Sequence, residues 1–252
     1  MLSILTARLQ QKHRTLAYPA AEPVLPDRLR GRPTIDGSKC GDGCDACARV
    51  CPTQAIKAEG KSTSIDLGRC LFCAECAQAC PAAAVAFTTE YRLATRRRDD
   101  LVVGSDSYRL AEALDAQSRR LFGRSLKLRQ VSAGGCNACE ADLNVLTTVV
   151  FDLSRFGIQF VASPRHADGL VVTGPVTANM KQALLKTHEA TPAPKLVIAV
   201  GACAISGGVY SNHEEVLGGA AACLPVDLFV PGCPPHPMTI LDGMLRLLGR
   251  IS

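Results

Sequence analysis

Eight cysteines lie between Cys40 and Cys80, in two groups of four that each end in Cys-Pro. No other feature so restricts the fold, because a segment this dense in thiols is organised by what the thiols bind or by bonds between them. The segment is an internal repeat. Ile35-Asp36 before Cys40 matches Ile65-Asp66 before Cys70 at an offset of 30, and Cys44, Cys47, Cys51, Pro52 and Ile56 match Cys73, Cys76, Cys80, Pro81 and Val85 at 29. An extra residue in Gly41-Asp42-Gly43 accounts for the difference, so the first copy reads C-x3-C-x2-C-x3-C-P and the second C-x2-C-x2-C-x3-C-P.

The other five of the 13 cysteines are Cys136, Cys139, Cys203, Cys223 and Cys233. Met1 to Leu9 is mildly apolar but has no signal-peptide h-region and runs into Gln10, Gln11, Lys12, His13 and Arg14, so no secretory signal is expected. Thiols that are not exported read as metal ligands rather than disulfides, and an odd count points the same way. Zinc sites of four thiolates usually combine two C-x2-C pairs across a longer loop, which continuous runs of four cysteines fit poorly. Cubane iron-sulfur chemistry fits them well: three closely spaced thiolates take three corners of a cluster, while the Cys before Pro turns to the neighbouring cluster.

Residues 34–88 thus resemble the bacterial two-cluster ferredoxin family. The resemblance implies an α+β ferredoxin-like domain with ligands exchanged between its halves: Cys40, Cys44, Cys47 and Cys80 for one 4Fe-4S cluster, and Cys70, Cys73, Cys76 and Cys51 for the other.

The carboxy-terminal half has a different texture. Ala167–Val172, Lys195–Val200 and Val226–Val230 are buried-strand runs, each followed by a Gly-containing turn, and Ala178–Ala190 reads as a helix. Strands alternating with a helix predict a parallel α/β sheet whose binding crevice lies beyond the strand carboxyl ends. Cys203 and Cys233 fall at two such ends, and with the Cys136/Cys139 loop they make four thiolates, the number a third cubane needs. Cys223 is left as a buried or free thiol.

Several motifs from 125 to 250 then look like one family, which contains the 20 kDa subunit of respiratory complex I and the small subunits of energy-converting NiFe hydrogenases. They are Gly134-Gly135-Cys136-Asn137-Ala138-Cys139-Glu140, Asp152-Leu153 with Phe156-Gly157-Ile158, Ala162-Ser163-Pro164-Arg165-His166-Ala167-Asp168, Gly201-Ala202-Cys203 with Gly207-Gly208, and Pro231-Gly232-Cys233-Pro234-Pro235. The resemblance implies an α/β flavodoxin-like domain that carries a terminal 4Fe-4S cluster on Cys136, Cys139, Cys203 and Cys233, for three clusters in the chain. It implies docking on a catalytic large subunit, of NiFe-hydrogenase or 49 kDa type, alongside further electron-transfer and membrane subunits. Complex I subunits begin the first motif with adjacent cysteines, whereas these are two residues apart as in hydrogenases. Glu140 stands where hydrogenase small subunits relay protons; its other reading is a helix amino-terminal charge. The order of the parts also resembles two formate hydrogenlyase components joined in one chain.

The expected organisation is an extended amino-terminal arm over 1–33, a two-cluster ferredoxin domain over 34–90, a linker with one helix over 91–126 and the small-subunit domain over 127–252. The linker helix is read from Leu110, Ala113, Leu114 and Leu121. Arg96 to Arg98, followed by Asp99 and Asp100, read as a solvated run. No window approaches the roughly 18 apolar residues of a membrane span; the resemblance implies a peripheral place on the cytoplasmic side of the cell membrane. A net charge of +5 permits an acidic partner, but with no Trp, four Tyr and seven Phe the chain lacks base-stacking platforms, and no nucleic-acid partner is expected. No nucleotide loop appears, since Gly207-Gly208 lacks the surrounding pattern. His166 and His236 read as packing or hydrogen-bonding residues, and Arg165 and Asp168 as a subunit contact or a surface turn. The implied function is a non-catalytic-centre, electron-transfer subunit of an oxidoreductase complex, with a complex I-like module that passes electrons to quinone as the alternative to a hydrogenase.

Overall fold

A run of Leu2, Ile4, Leu5 and Leu9 with no Gly, Pro or acidic residue among them is helix-compatible, and in the computed structural model it forms α1, Leu2–Gln11. Residues 2–11 of the expected arm are therefore helical rather than extended. The model describes all residues except 1, 42, 60, 61, 105–107 and 252, and for Leu2 only the main chain. From 12 to 32 the chain forms turns and extended backbone without helix or strand.

The repeat in the sequence becomes a repeat in structure. β1 (Pro33–Ile35), α2 (Ala46–Arg49) and β2 (Ile56–Lys57) are followed by β3 (Ser64–Asp66), α3 (Glu75–Gln78) and β4 (Val85–Phe87). The halves pair crosswise and antiparallel: Ile35 opposes Val85, and Ile56 opposes Ile65. Each half supplies what the other lacks, a partner for its exposed strand edge. β5 (Val102–Val103), inside the expected linker, adds to β3 with Val103 opposite Ile65.

The apolar residues from Leu110 to Leu114 do not form a helix. Ala111 N donates to Ala94 O and Leu114 N to Leu247 O, so this stretch is extended against its neighbours. The helix begins at the first capping residue: Asp115 Oδ1 accepts from Gln117 N and Ser118 N, and α4 runs Ala116–Phe122.

The rest is a parallel α/β layer. In chain order come β6 (Leu126–Ser132), α5 (Ala138–Val145), β7 (Ile158–Phe160), β8 (Gly169–Thr173), α6 (Ala178–Ala190), β9 (Leu196–Val200), α7 (Ala202–Ser206), β10 (Leu228–Val230) and α8 (Pro237–Leu247). The five strands lie in the order β10-β9-β8-β6-β7, all parallel. β8 and β9 are buried along their whole length, which is why they read as unbroken apolar runs. The strand order reverses between β6 and β8, so the crevice of this sheet opens at their carboxyl ends. α8 is buried throughout, and its two charged residues neutralise each other one turn apart, Arg246 Nε on Asp242 Oδ2 at 2.9 Å.

The halves share a core. One cluster joins Ile65, Leu67 and Leu101 to Val131, Leu170, Ile205 and Phe229. Burying each such side chain fully stabilises by roughly 1.5–3 kcal/mol. Thr95 and Phe229 exchange both backbone hydrogen bonds, which covers the β10 edge of the sheet with the segment that follows β4.

Candidate iron-sulfur sites

Crosswise strand pairing brings the two cysteine runs together. Cys40, Cys44, Cys47 and Cys80 line one cavity, with Pro81 and Val85. Cys51, Cys70, Cys73 and Cys76 line a second, with Ile56, Ile65 and Phe87. The cysteine before each proline has left its own run for the other. Local backbone makes that turn in the same way twice: three residues after each such cysteine, Gln54 (φ 52°) and Ala83 (φ 48°) are left-handed. The next residue then points its N–H at the sulfur, Ala55 N to Cys51 Sγ and Ala84 N to Cys80 Sγ, both at 3.2 Å. Gly43 (φ 73°) and Phe72 (φ 55°) are a second matched pair. A left-handed Phe is costly; Phe72 packs edge-on to Phe87 at 6.2 Å, and its N–H donates to Cys70 Sγ at 3.3 Å.

Burial pushes the Cys70 thiol up to about 12 and Cys76 to about 11, and raises Cys47 as well. For Cys80, burial works upward too, but the combined N–H groups of Ala84, Ala82, Val85 and Ala83 bring it below the ordinary thiol value. Backbone dipoles directed at sulfur favour the thiolate, the form that binds metal.

The third group stands on the carboxyl ends of the sheet, at the strand-order reversal. Cys136 and Cys139 follow β6, Cys203 opens α7 after β9, and Cys233 follows β10. The thiol of Cys139 is raised first by burial and then by Glu140, Cys203, Cys233 and Cys136, which places all four sulfurs in one another's field. Cys203 is pushed up to about 11 by burial and by Cys233 and Cys136. The surroundings are cut back to make room: a Cβ on Gly201 would sit 2.5 Å from Cys139 Sγ, and one on Gly208 2.7 Å from Cys203 Sγ. Gly208 is therefore part of this cradle. Cys136 and Cys233 remain exposed on its outer face.

Glu140 is only 6% exposed. Burial works to raise its pKa, but hydrogen bonds from Ser132 and Thr173 outweigh it and hold the carboxylate below its ordinary value; Thr173 Oγ1 donates to Oε1 at 2.6 Å. Sequence reading missed both donors, because a Ser or Thr at the end of a strand carries no distinguishing pattern.

Cys223 closes a short turn, Ala220–Ala222, packed against the core and outside all three groups. His236 caps α8, its Nδ1 accepting from Met238 N at 3.1 Å. His166 and Arg165 lie at the opposite, amino-terminal end of the sheet, where Asp168 Oδ2 accepts from Lys127 N. Of the expected solvated run, Arg98 instead grips Asp66 with both nitrogens, at 2.8 and 2.6 Å, on the second repeat. Two aligned charge-assisted hydrogen bonds, shielded on one side by the core, outweigh full solvation of that side chain.

Residues 136–247 match the family model of the NADH ubiquinone oxidoreductase 20 Kd subunit, and residues 26–84 match that of the 4Fe-4S dicluster domain. The chain is 42% identical over 137 residues to "Probable membrane-bound hydrogenase subunit mbhJ" of Pyrococcus furiosus, covering 54% of this chain and 82% of that protein. It is 44% identical over 140 residues to formate hydrogenlyase subunit 7 of Escherichia coli, covering 56% of this chain and 55% of the relative. With an NADH-quinone oxidoreductase subunit of Citrifermentans bemidjiense it shares 42% over 118 residues, 47% of this chain and 69% of the relative. With that coverage, and with its cysteines gathered at the carboxyl ends of a parallel sheet, the chain belongs to the NADH ubiquinone oxidoreductase 20 kDa subunit family.

Proposed function

We propose that the chain is an electron-transfer subunit that holds three 4Fe-4S clusters and serves the catalytic large subunit of a membrane-associated, energy-converting NiFe hydrogenase. The observation that carries this reading is the grouping of the cysteines: two cavities walled by four thiols each, and four more thiols around a glycine-lined cradle. Four thiol donors per site, with N–H groups aimed at the sulfurs of Cys51, Cys70 and Cys80, suit a thiolate-held cubane. A 4Fe-4S cluster supplies one-electron chemistry whose potential follows charge, hydrogen bonding and burial.

In this reading residues 34–90 form a ferredoxin-like domain, 127–252 a flavodoxin-like small-subunit domain, and 1–33 and 91–126 the arm and linker that hold them together. Two proximities between the groups support an order. Cys47 and Cys76 feel each other's charge between the first and second groups, and Cys73 and Cys233 between the second and third. Phe72 on one side and Pro231, Gly232 and Pro234 on the other line a common groove at that second junction. Electrons entering at the first group thus leave through the third, whose exposed Cys136 and Cys233 face the large subunit. Glu140, beside Cys139, is the side chain that would pass protons at that contact.

The Cys136-x2-Cys139 spacing and the two hydrogenase relatives favour the hydrogenase. The similarity to an NADH-quinone oxidoreductase component supports the alternative, a complex I-like module that delivers electrons to quinone. Among the described residues no helix is long and apolar enough to cross a membrane, and the reading places the chain peripherally on the cytoplasmic side, tethered by its partners. Purifying the chain from its source anaerobically tests this. The expected companion is a nickel-containing large subunit that evolves hydrogen from a reduced viologen dye; quinone reduction with no hydrogen turnover would replace this reading by the alternative.

A further inference from the structure

The two halves of the cysteine repeat match in helix position, in the left-handed pairs Gln54/Ala83 and Gly43/Phe72 and in the N–H contacts to Cys51 and Cys80, and they differ at the loop before each helix, where Ala74 is left-handed (φ 67°) and Asp45 is not (φ −129°). Gly43-Cys44 and Phe72-Cys73 are equivalent, yet among the described residues only the second is held by the amino-terminal arm. Arg30 Nη1 donates to Phe72 O at 3.2 Å and to Cys73 O at 2.8 Å. Among the described residues no side chain donates to the carbonyls of Gly43 or Cys44, and that loop carries an acid, Asp42, in its sequence instead.

The arm holds Arg30 in place from both sides. Leu29 N donates to Pro26 O, Gly31 N to Thr88 O at 2.6 Å and Arg32 N to Glu90 O at 2.9 Å. A Cβ on Gly31 would lie 2.1 Å from Glu90 O, so the backbone there is flush against the strand exit after β4. Arg30 lines the groove shared by Phe72, Leu93, Pro231 and Pro234, the seam between the second and third thiol groups.

Adding one electron to a group held by these thiolates adds one negative charge. A guanidinium fixed on the carbonyl of one of the ligands favours that state, and by taking up two carbonyl lone pairs it withdraws their negative ends from the site. Because Arg30 is largely exposed, water and salt weaken its field without cancelling the two directed hydrogen bonds. We propose that Arg30 is a positioning residue that raises the reduction potential at Cys51, Cys70, Cys73 and Cys76, the group facing Cys233.

This rests on the three-cluster reading, and the test separates the two. The full chain, prepared anaerobically as wild type, Arg30→Gln and Arg30→Lys, is titrated potentiometrically with redox mediators and followed by electron paramagnetic resonance, with iron measured in each sample. Arg30→Gln should lower the midpoint of one signal and leave the others in place, and Arg30→Lys should keep most of the wild-type value. Added potassium chloride should move the wild-type midpoint toward that of the Gln variant. Unchanged midpoints in Arg30→Gln, or an equal fall in Arg30→Lys, overturn the role of Arg30. If Arg30→Gln fails to retain iron, the Lys variant and the salt series decide: a salt-insensitive wild-type midpoint overturns it. A wild-type chain without cluster signals sinks the underlying reading instead.

Discussion

The Tyr18 hydroxyl donates to Asp242 Oδ1 at 2.7 Å, joining residues 224 positions apart. Asp242 is fully buried and its other oxygen is taken by Arg246, so the arm supplies the second half of the solvation this carboxylate lost. Tyr18 is itself held edge-on to Tyr91, ring centres 6.3 Å apart. Tyr18→Phe leaves Oδ1 without that donor and should cost about 1–3 kcal/mol, read as a lower midpoint in chemical denaturation. Burial, then the hydrogen bond and charge of Asp242, push the Tyr18 pKa far above its ordinary 10.0. The folded state therefore keeps a proton that the unfolded state releases, and stability should fall as pH rises above about 10. In Tyr18→Phe this alkaline fall should be shallower; an identical slope would show that Tyr18 does not contribute to it.

Cys223 and Cys233 lie ten residues apart in sequence and in different surroundings, one against the core beside Leu224, the other at the exposed end of β10. Cys223→Ala should leave the iron content unchanged. Cys233→Ala should lose up to about four iron per chain, the content of one cubane. Iron loss in Cys223→Ala would mean that the third group was assigned the wrong fourth ligand.

Much of this was legible in the sequence because the informative residues were rigidly spaced. The 29-residue offset that aligns Cys51 with Cys80 also aligns Gln54 with Ala83, so the repeat carried its backbone turns with it. Apolar runs marked β8, β9 and β10, and Ala178–Ala190 is helical as read. What was not legible depends on contacts between distant segments. The Leu110–Leu114 spacing suggested a helix, yet Asp115 sets where helix begins and the strand-like contacts of Ala111 and Leu114 prevail before it. Arg98 reads as solvated among Arg96, Arg97, Asp99 and Asp100, and only folding brings Asp66 within reach of it. Arg30 sits in a Pro-rich stretch without periodicity, where nothing local marks it.

Glu140 accepts hydrogen bonds from exposed Ser132 and buried Thr173. A Gln there has one acceptor oxygen and no titrating proton. If the complex is the proposed hydrogenase, Glu140→Gln should slow its hydrogen turnover while the proposed clusters still reduce at their normal rate, and the lost acceptor should cost the chain about 1 kcal/mol. Unchanged hydrogen evolution with the same loss of stability would leave Glu140 a purely structural acceptor for its two donors.

Twelve of the 13 cysteines are proposed to form three four-thiol sites for iron-sulfur clusters. Anaerobically purified full-length chain should contain about 12 iron and matching acid-labile sulfide, three cubanes in all, and become paramagnetic on reduction. Stoichiometric zinc without acid-labile sulfide would contradict the account.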